Sequence, residues 1–375
     1  MTDRQTDRQT DRQTDRQSNI ELLRVVCTFL IIYSHATQYM GGGHWWDAFV
    51  GQFNLNVMLS ALLGEWGQLG VGVFIVISAY FMCNKNGIHS IKVLELCLET
   101  VFMNFIAGMI YLVYYHGCTG RAFLNTALNA VLSPISGQYW FITPFLFLYL
   151  LFPFFQSALL KLKEGNLRAI LIILLITVSI ADFLYIRVLG AIMDFIVMFI
   201  LTAYVKLYKS EWMDKHAWKI FLLSFGLIYG LSMIVSAASV RYPSVGSVIT
   251  RLFVNWNILI YGVCISLFWI FKNINIGHSR LINLLAGSSF GIYLLHENMY
   301  MGASDGAFLW TKIFHLNDFL VAPSLMLRLL ISGIVVYFIS FAIDVLRRFT
   351  VERLVFKRRA IQIYCNEIDS KISVN

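Results

Sequence analysis

The sequence predicts an all-α integral membrane protein, a bundle of about ten transmembrane helices with the N- and C-termini in the cytoplasm. Hydrophobic residues make up 58% of the 375 positions and charged residues only 13%, which is too little charge to cover a soluble domain. The apolar residues occur in blocks of about 20, the length that crosses a bilayer core as a helix. Loops rich in Lys and Arg also alternate with loops that contain few of them, as the positive-inside rule requires of a multi-span protein.

Each apolar block is predicted to be a helix, because lipid offers no partners for free backbone groups. Only five prolines are present to interrupt them. The second segment is short and glycine-rich. The candidate spans lie near residues 20–40, 66–83, 93–115, 139–158, 168–186, 188–208, 217–239, 252–271, 284–301 and 325–346.

The distribution of basic residues tests this topology independently. With the N-terminus in the cytoplasm, most of the 29 Lys and Arg residues fall in inside segments. The outside loops hold Arg121, Arg187, Arg241, Arg251 and Lys312. A missed or invented span would destroy this alternation. Topology therefore accounts for the net charge of +8, and no nucleic-acid partner is expected. The six cysteines show no metal-ligand spacing, so no metal is expected either.

The N-terminus is a repeat, since residues 2–17 are Thr-Asp-Arg-Gln four times over. We expect a disordered repeat tail at 1–18, a multi-span domain at 19–347 and a basic cytoplasmic tail at 348–375. The repeat can be encoded by the tetranucleotide ACAG in tandem. Slippage by one unit would shift the reading frame, so we hypothesise a phase-variable gene. Such switching suits a product displayed at the cell surface.

The first span contains two ionisable side chains, Arg24 and His35. Burying a charge in hydrocarbon costs about 2.5–3.5 kcal/mol on insertion scales, so such residues are candidates for function. They are eleven positions apart, which at 100° per residue places both on one helix face, about 16 Å apart. The alternatives are that Arg24 is an interfacial anchor and that His35 is a packed, hydrogen-bonded histidine.

The ninth span repeats this pattern with Ser289, Tyr293 and His296 on one face, followed by Glu297. Further polar residues map to the outer ends of their spans and predict a polar cavity open to the outer face. The small residues of the second span indicate close helix packing, or alternatively a backbone that a ligand approaches closely. The outer polar set is Asp182, Asp194, Tyr139, Trp140, Arg251, Asn255, Glu297 and Arg328.

Four segments resemble the acyltransferase 3 family of bacterial membrane proteins. Arg24 and His35 match its Arg/Lys-x10-His motif, and residues 72–81 resemble its Phe-x-x-x-Ser-Gly-Phe/Tyr-Phe helix. Residues 138–153 are similar to its Tyr-Trp-Phe-Leu segment, and 289–296 to its Ser-x-x-Ile-Tyr-Leu-x-His stretch. Two departures are visible. Ala79 replaces the usual glycine, and the basic residues that commonly follow are reduced to Lys85.

The resemblance implies an enzyme of the bacterial cytoplasmic (inner) membrane. It would transfer an acyl group, often acetyl, from acyl-CoA to a sugar of lipopolysaccharide, lipooligosaccharide or capsule. Its partners would be membrane lipids, acetyl-CoA as the donor and a cell-surface glycan as the acceptor. His35 would act as a general base or accept the acyl group itself. The implied assignments are His35, His296 and Glu297 for catalysis, Arg24 and Lys85 for the donor, and Tyr139, Trp140, Arg251, Asn255 and Tyr293 for the acceptor.

Two other functions fit the same composition. A transporter or flippase for a glycan or a lipid-linked sugar would also place buried Arg and His along its path. No inverted repeat and no matching pair of broken helices is visible in the sequence, which disfavours that class. A glycan export accessory without acyl chemistry is the other alternative.

Overall fold

The computed structural model describes residues 17–40, 51–64, 66–83, 85, 87–115, 117–184, 190–245, 256–303, 308–356 and 358–372. The regular elements within these ranges are all helices, as the composition predicts. They are α1 Ser18–Tyr39, α2 Leu55–Gly64, α3 Trp66–Met82, α4 Ser90–Tyr114, α5 Gly120–Leu132, α6 Ile142–Leu160, α7 Glu164–Phe183, α8 Ala191–Tyr204, α9 Ser210–Ser239, α10 Ile258–Lys272, α11 Arg280–Ala286, α12 Ser289–His296, α13 Leu325–Arg347, α14 Arg353–Phe356 and α15 Arg359–Ile372.

Several helical runs within the described residues are long and apolar enough to cross a membrane. They number seven and contain the first seven predicted spans and the tenth. The predicted total of about ten and the cytoplasmic placement of the termini stay predictions. The runs are Ser18–Tyr39, Leu55–Met82, Ser90–Tyr114, Ile142–Leu160, Glu164–Phe183, Ala191–Ser239 and Leu325–Glu352.

The predicted spans 188–208 and 217–239 both overlap a single helical run, Ala191–Ser239, of 49 residues. A straight helix of that length would be about 74 Å long, more than twice the thickness of a bilayer core. The run changes to a π-helix at Val205–Lys209. Lys209 then leaves the helical region, with φ −132° and ψ 14°. The charged residues at this join therefore mark a break between α8 and α9.

The eighth and ninth predicted spans are shorter in the structure than in the sequence prediction. Helix α10 has 15 residues and is capped by the side chain of Asn257, which accepts from Leu259 N and Ile260 N. The ninth span is divided into α11 and α12 at Gly287 and Ser288. The break separates α11, the first half of the predicted span, from α12, the half that ends at His296.

Helix α1 lies at the centre of the bundle, in contact with α2, α3, α10, α11, α12 and α13. Small residues of α3 allow two close approaches. A Cβ on Gly70 would lie 2.6 Å from Ile31 Cγ1 of α1, and one on Gly72 would overlap Cys264 Sγ of α10. Helix packing thus explains both glycines, the first of the two readings that the sequence left open.

The outer surface of the bundle is apolar. On α7, Ile173 is 63% exposed, and on α9 Leu222 is 65% exposed. Exposed apolar faces of this kind are expected on helices that contact lipid. At the C-terminus, α15 packs on the first turn of α4. There Asp369 Oδ1 accepts the Ser90 backbone N–H at 2.7 Å, and Cys365 O accepts the Ser90 hydroxyl at 3.0 Å.

Candidate active site

Two histidines from distant parts of the chain meet inside the bundle. His35 lies in the last part of α1 and His296 is the last residue of α12. His35 Nδ1 lies 3.0 Å from His296 Nε2, and both side chains are buried, at 5% and 1% exposure. The two helices run side by side in the same direction, which brings their C-terminal ends together. We call His35 and His296 the histidine pair.

A backbone carbonyl determines which nitrogens of the histidine pair hold protons. His296 Nδ1 lies 2.6 Å from Ile292 O, and a carbonyl oxygen can only accept. His296 therefore has its proton on Nδ1, and in a neutral pair its Nε2 accepts from His35 Nδ1–H. This leaves the lone pair of His35 on Nε2. The protonated nitrogen of each imidazole ring is thus assigned from the hydrogen-bond partners of that ring.

Glu297 supplies a carboxylate beside the histidine pair. Its Oε2 lies 3.1 Å from His35 Nδ1, yet it makes no aligned hydrogen bond among the described residues. Its Oε1 accepts a hydrogen bond from the Tyr39 hydroxyl at 2.9 Å. The single Nδ1 proton of His35 thus points to His296, while the carboxylate is positioned to stabilise a positive charge on the His35 ring.

The turn that follows α12 is held by a second group of polar side chains. The Tyr139 hydroxyl donates to Leu294 O at 2.9 Å and accepts from Asn298 Nδ2 at 2.6 Å. Asn298 Oδ1 in turn accepts the backbone N–H of Tyr300 at 2.8 Å. These bonds fix the last turn of α12 and therefore the positions of His296 and Glu297.

Tyr293 lies between these two groups. Its ring centroid is 6.4 Å from that of His35 and 6.1 Å from that of His296, and 6.1 Å from that of Tyr139. Trp140 is half-buried and packs against Phe195, with centroids 6.4 Å apart. The structure therefore brings His35, His296, Glu297, Tyr293 and Tyr139 together, with Trp140 one aromatic layer away.

The predicted donor-binding residues lie away from the histidine pair. Arg24 is in the second turn of α1, with its side chain 32% exposed and Nη1 3.9 Å from Glu21 Oε1. Its Nε is buried without a hydrogen-bond partner among the described residues. Lys85 is half-buried just beyond α3, and because α3 runs antiparallel to α1, it is at the same end of the bundle as Arg24. Donor and transfer groups would thus occupy opposite ends of α1.

Other predicted polar residues have different surroundings. Arg251 and Asn255 lie outside the described residues. Asp182 Oδ2 accepts the Trp256 backbone N–H at 2.9 Å, and Asp194 Oδ1 accepts from the Tyr261 hydroxyl at 3.3 Å. The guanidinium of Arg328 lies 3.5 Å above the centre of the Phe319 ring. Within the described part of the chain, no group of three or more His, Cys, Asp or Glu residues could hold a metal ion.

The acyltransferase-domain profile of the acyltransferase 3 family matches residues 17–345, most of the 375 positions. The chain belongs to the acyltransferase 3 family. It is therefore an acyltransferase and a multi-pass membrane protein, and the predicted resemblance is confirmed. No curated protein and no solved structure matches the chain.

Two residues of the site were missed by the sequence analysis. Tyr39 holds Glu297 and follows His35 by four positions, so its place on the same helix face was a visible signal. Asn298 holds Tyr139 and directly follows Glu297. Its role has no signal in the sequence, because it depends on where α12 ends and the chain turns.

Proposed function

We propose that this acyltransferase is an O-acetyltransferase that moves an acetyl group from acetyl-CoA to a sugar hydroxyl of lipopolysaccharide, lipooligosaccharide or capsule. The observation that supports this most directly is the 3.0 Å contact between His35 Nδ1 and His296 Nε2. That contact leaves a lone pair on His35 Nε2, which can remove a proton from an acceptor hydroxyl.

In this mechanism the three central side chains have separate roles. His35 is the general base, or alternatively the residue that accepts the acetyl group. His296 Nε2 accepts a hydrogen bond from His35 Nδ1–H. This keeps the basic lone pair of His35 on its Nε2. Glu297 stabilises the positive charge that His35 gains when it takes the proton, as the carboxylate does in a Ser-His-Asp triad.

The donor is proposed to enter from the end of α1 that contains Arg24. A guanidinium suits the phosphates of CoA, and the Nε–H of Arg24 has no hydrogen-bond partner among the described residues. The distance along α1 from Arg24 to His35 is about 16 Å, which the extended pantetheine arm can cover. Lys85 would add positive charge at the same end. With the predicted cytoplasmic N-terminus, the donor would bind at the cytoplasmic end of α1 and the acceptor would bind beyond the membrane midplane.

The acceptor side is proposed to be lined by Tyr139, Trp140 and Tyr293, together with Arg251 and Asn255. Aromatic rings stack on sugar faces, and the site offers several of them. The proposed location is the bacterial inner membrane, with lipids around the bundle. Phase variation through the Thr-Asp-Arg-Gln repeat remains a separate proposal, which sequencing of the coding repeat in many colonies would test.

The test is mass spectrometry of surface glycans from four strains: the native strain, a gene deletion, His35→Ala and the control His216→Ala. His216 is a half-buried histidine of α9 whose Nδ1 lies 2.8 Å from Trp212 O, and it makes no contact with the histidine pair. We expect a base-labile acetyl ester in the native and His216→Ala strains only, with all variant proteins inserted at equal levels.

The same experiment separates the alternatives. If all four strains have the same ester pattern but the deletion strain differs in glycan export or chain length, acyl transfer to the glycan is wrong and a transporter or export accessory is favoured. If the His35→Ala strain retains the ester that the deletion loses, the enzyme assignment survives and the role of His35 does not.

A further inference from the structure

The Tyr293 hydroxyl is buried beside the histidine pair and has no hydrogen-bond partner among the described residues. Burying an unsatisfied hydroxyl is unfavourable, and such groups in native proteins need an explanation. The neighbouring tyrosines do not share this property. The Tyr139 hydroxyl donates to Leu294 O and the Tyr39 hydroxyl donates to Glu297. One tyrosine in this group thus keeps a free donor.

The helix ends that form the histidine pair do not supply such a donor. His35 and His296 both lie at the C-terminal ends of their helices. The free backbone groups at a helix C-terminus are carbonyl oxygens, and the helix dipole is negative there. Within the described part of α1 and α12, a negative charge that develops at this site therefore needs a side-chain donor. Glu297 and the unprotonated Nε2 of His35 are acceptors, so neither can take this role.

We propose that the Tyr293 hydroxyl is the oxyanion donor of the transfer reaction. It would donate to the carbonyl oxygen of the acyl thioester as negative charge develops on that oxygen. The ring centroids of Tyr293 and His35 are 6.4 Å apart, so the base and the donor belong to neighbouring side chains. This inference rests on the proposed acyl transfer and deepens it, by giving the Tyr293 hydroxyl a role in the chemical step instead of in acceptor binding.

The step balances as follows for direct transfer. The acceptor oxygen attacks the thioester carbon while its proton moves to His35 Nε2, and the carbonyl electron pair moves to the oxygen that Tyr293 holds. When the tetrahedral intermediate collapses, the C–S bond breaks and the thiolate takes the proton from His35. The products are the sugar ester and free CoA thiol, and no oxidant, reductant or metal is consumed.

The test is Tyr293→Phe in purified protein reconstituted in nanodiscs, with acetyl-CoA and a glycan extract from the deletion strain. Release of CoA thiol and formation of the ester are both measured. We expect kcat to fall by about 10²–10³-fold, with KM for acetyl-CoA and for the glycan extract within about twofold of the native values. The unfolding temperature should stay equal or rise, since an unpaired buried hydroxyl is removed.

The matched control is Tyr337→Phe, because Tyr337 is fully buried and its hydroxyl contacts Leu285 O at 3.5 Å, away from the histidine pair. It should retain the native kcat. An unchanged kcat in Tyr293→Phe overturns the inference, and so does a raised KM for the glycan at native kcat, which would make Tyr293 an acceptor-binding residue. If the native protein itself releases no thiol and forms no ester, the proposed function fails with it.

Discussion

The two ends of α12 differ in how their polar groups are paired. Near its N-terminus, Asp344 of α13 contacts Arg347 Nη2 at 2.9 Å and Arg348 Nε at 3.0 Å. Arg347 also reaches Glu99 of α4 at 3.2 Å and Glu352 at 3.4 Å. Every charge in this cluster therefore has an opposite charge within 4 Å. We call these five residues the ion cluster.

The C-terminal end of α12 is organised in the opposite way. Its hydrogen bonds join imidazoles, hydroxyls and an amide, and the carboxylate of Glu297 contacts the Tyr39 hydroxyl and the His35 imidazole. Buried atoms without a hydrogen bond among the described residues occur at both ends, Ser289 Oγ and Asp344 Oδ2 at the first and Glu297 Oε2 and Tyr293 Oη at the second. The two ends therefore differ in charge compensation, since each charge of the ion cluster has an opposite charge nearby, whereas Glu297 faces a histidine that is charged only when protonated. The ion cluster holds α4, α12 and α13 together, and a buried carboxylate that gains its counter-charge only when a neighbouring base takes a proton indicates function.

Asp344→Asn should cause the largest loss of stability. It leaves the buried Arg347 and the half-buried Arg348 with less compensating charge, and breaking a buried pair costs about 3–5 kcal/mol. We expect a strongly lowered unfolding temperature in detergent and little inserted protein.

Glu352→Gln is the control for that variant, because Glu352 lies at the rim of the ion cluster and its side chain is 36% exposed. This substitution should lower the free energy of unfolding by about 1 kcal/mol or less. An Asp344→Asn protein that unfolds at the native temperature would show that the ion cluster is not what holds α12.

Glu297→Gln tests the other end of α12. The amide keeps the shape and an oxygen for the Tyr39 hydroxyl, but removes the negative charge 3.1 Å from His35 Nδ1. We expect kcat to fall by about 10²-fold, equivalent to about 2.7 kcal/mol, while the unfolding temperature hardly changes. Thiol release at native rates would remove the carboxylate from the mechanism. A large loss of stability would instead make Glu297 structural, like Asp344.

The contrast between these ends could be predicted only in part from the sequence. A block of 20 apolar residues has one stable form in lipid, so the first predicted span, 20–40, and the helix Ser18–Tyr39 agree closely. The spacing of Arg24 and His35 likewise places them on one face without any tertiary information. These features are local, which is why a single sequence contains them.

The features that could not be predicted depend on contacts between distant segments. The sequence marks His35 and His296 separately, but it does not show that α1 and α12 are neighbours. The break at Gly287 and Ser288 is stabilised by Arg348, which lies sixty positions further along the chain. Arg348 donates a hydrogen bond to the Ser288 hydroxyl. Arg348 was predicted to begin a basic tail, since its pairing with Asp344 of α13 cannot be identified from composition.

Gly291→Ala should couple the two ends of α12. An added Cβ would lie 2.5 Å from Asp344 Oδ1 and 2.9 Å from Met103 Cε. Asp344 is fully buried between two arginines and cannot move aside easily, so α12 must shift. We expect a loss of about 1–3 kcal/mol in stability together with slower thiol release, because His296 moves with the helix.

Gly230→Ala on α9 is the matched control, since a Cβ there meets nothing within 4 Å. It should leave activity unchanged and raise stability by about 0.5–1 kcal/mol, as a helical glycine is replaced. If Gly291→Ala lowers stability but leaves the rate of thiol release unchanged, the histidine pair does not depend on the N-terminal end of α12.

Asp214→Asn should have the smallest effect. Asp214 Oδ1 accepts from Lys272 Nζ at 3.0 Å and from Asn273 Nδ2 at 2.9 Å, and so links α9 to the end of α10. The Asp214 side chain is 38% exposed, so water and salt screen the pair, and its loss should cost less than about 1 kcal/mol. The unfolding temperature of the native protein and the variant, measured at low and high salt, checks this, and the small difference should shrink further at high salt. A loss as large as that of Asp344→Asn would mean that burial does not separate the two classes of ion pair, and the distinction between the ion cluster and the surface pairs would have to be abandoned.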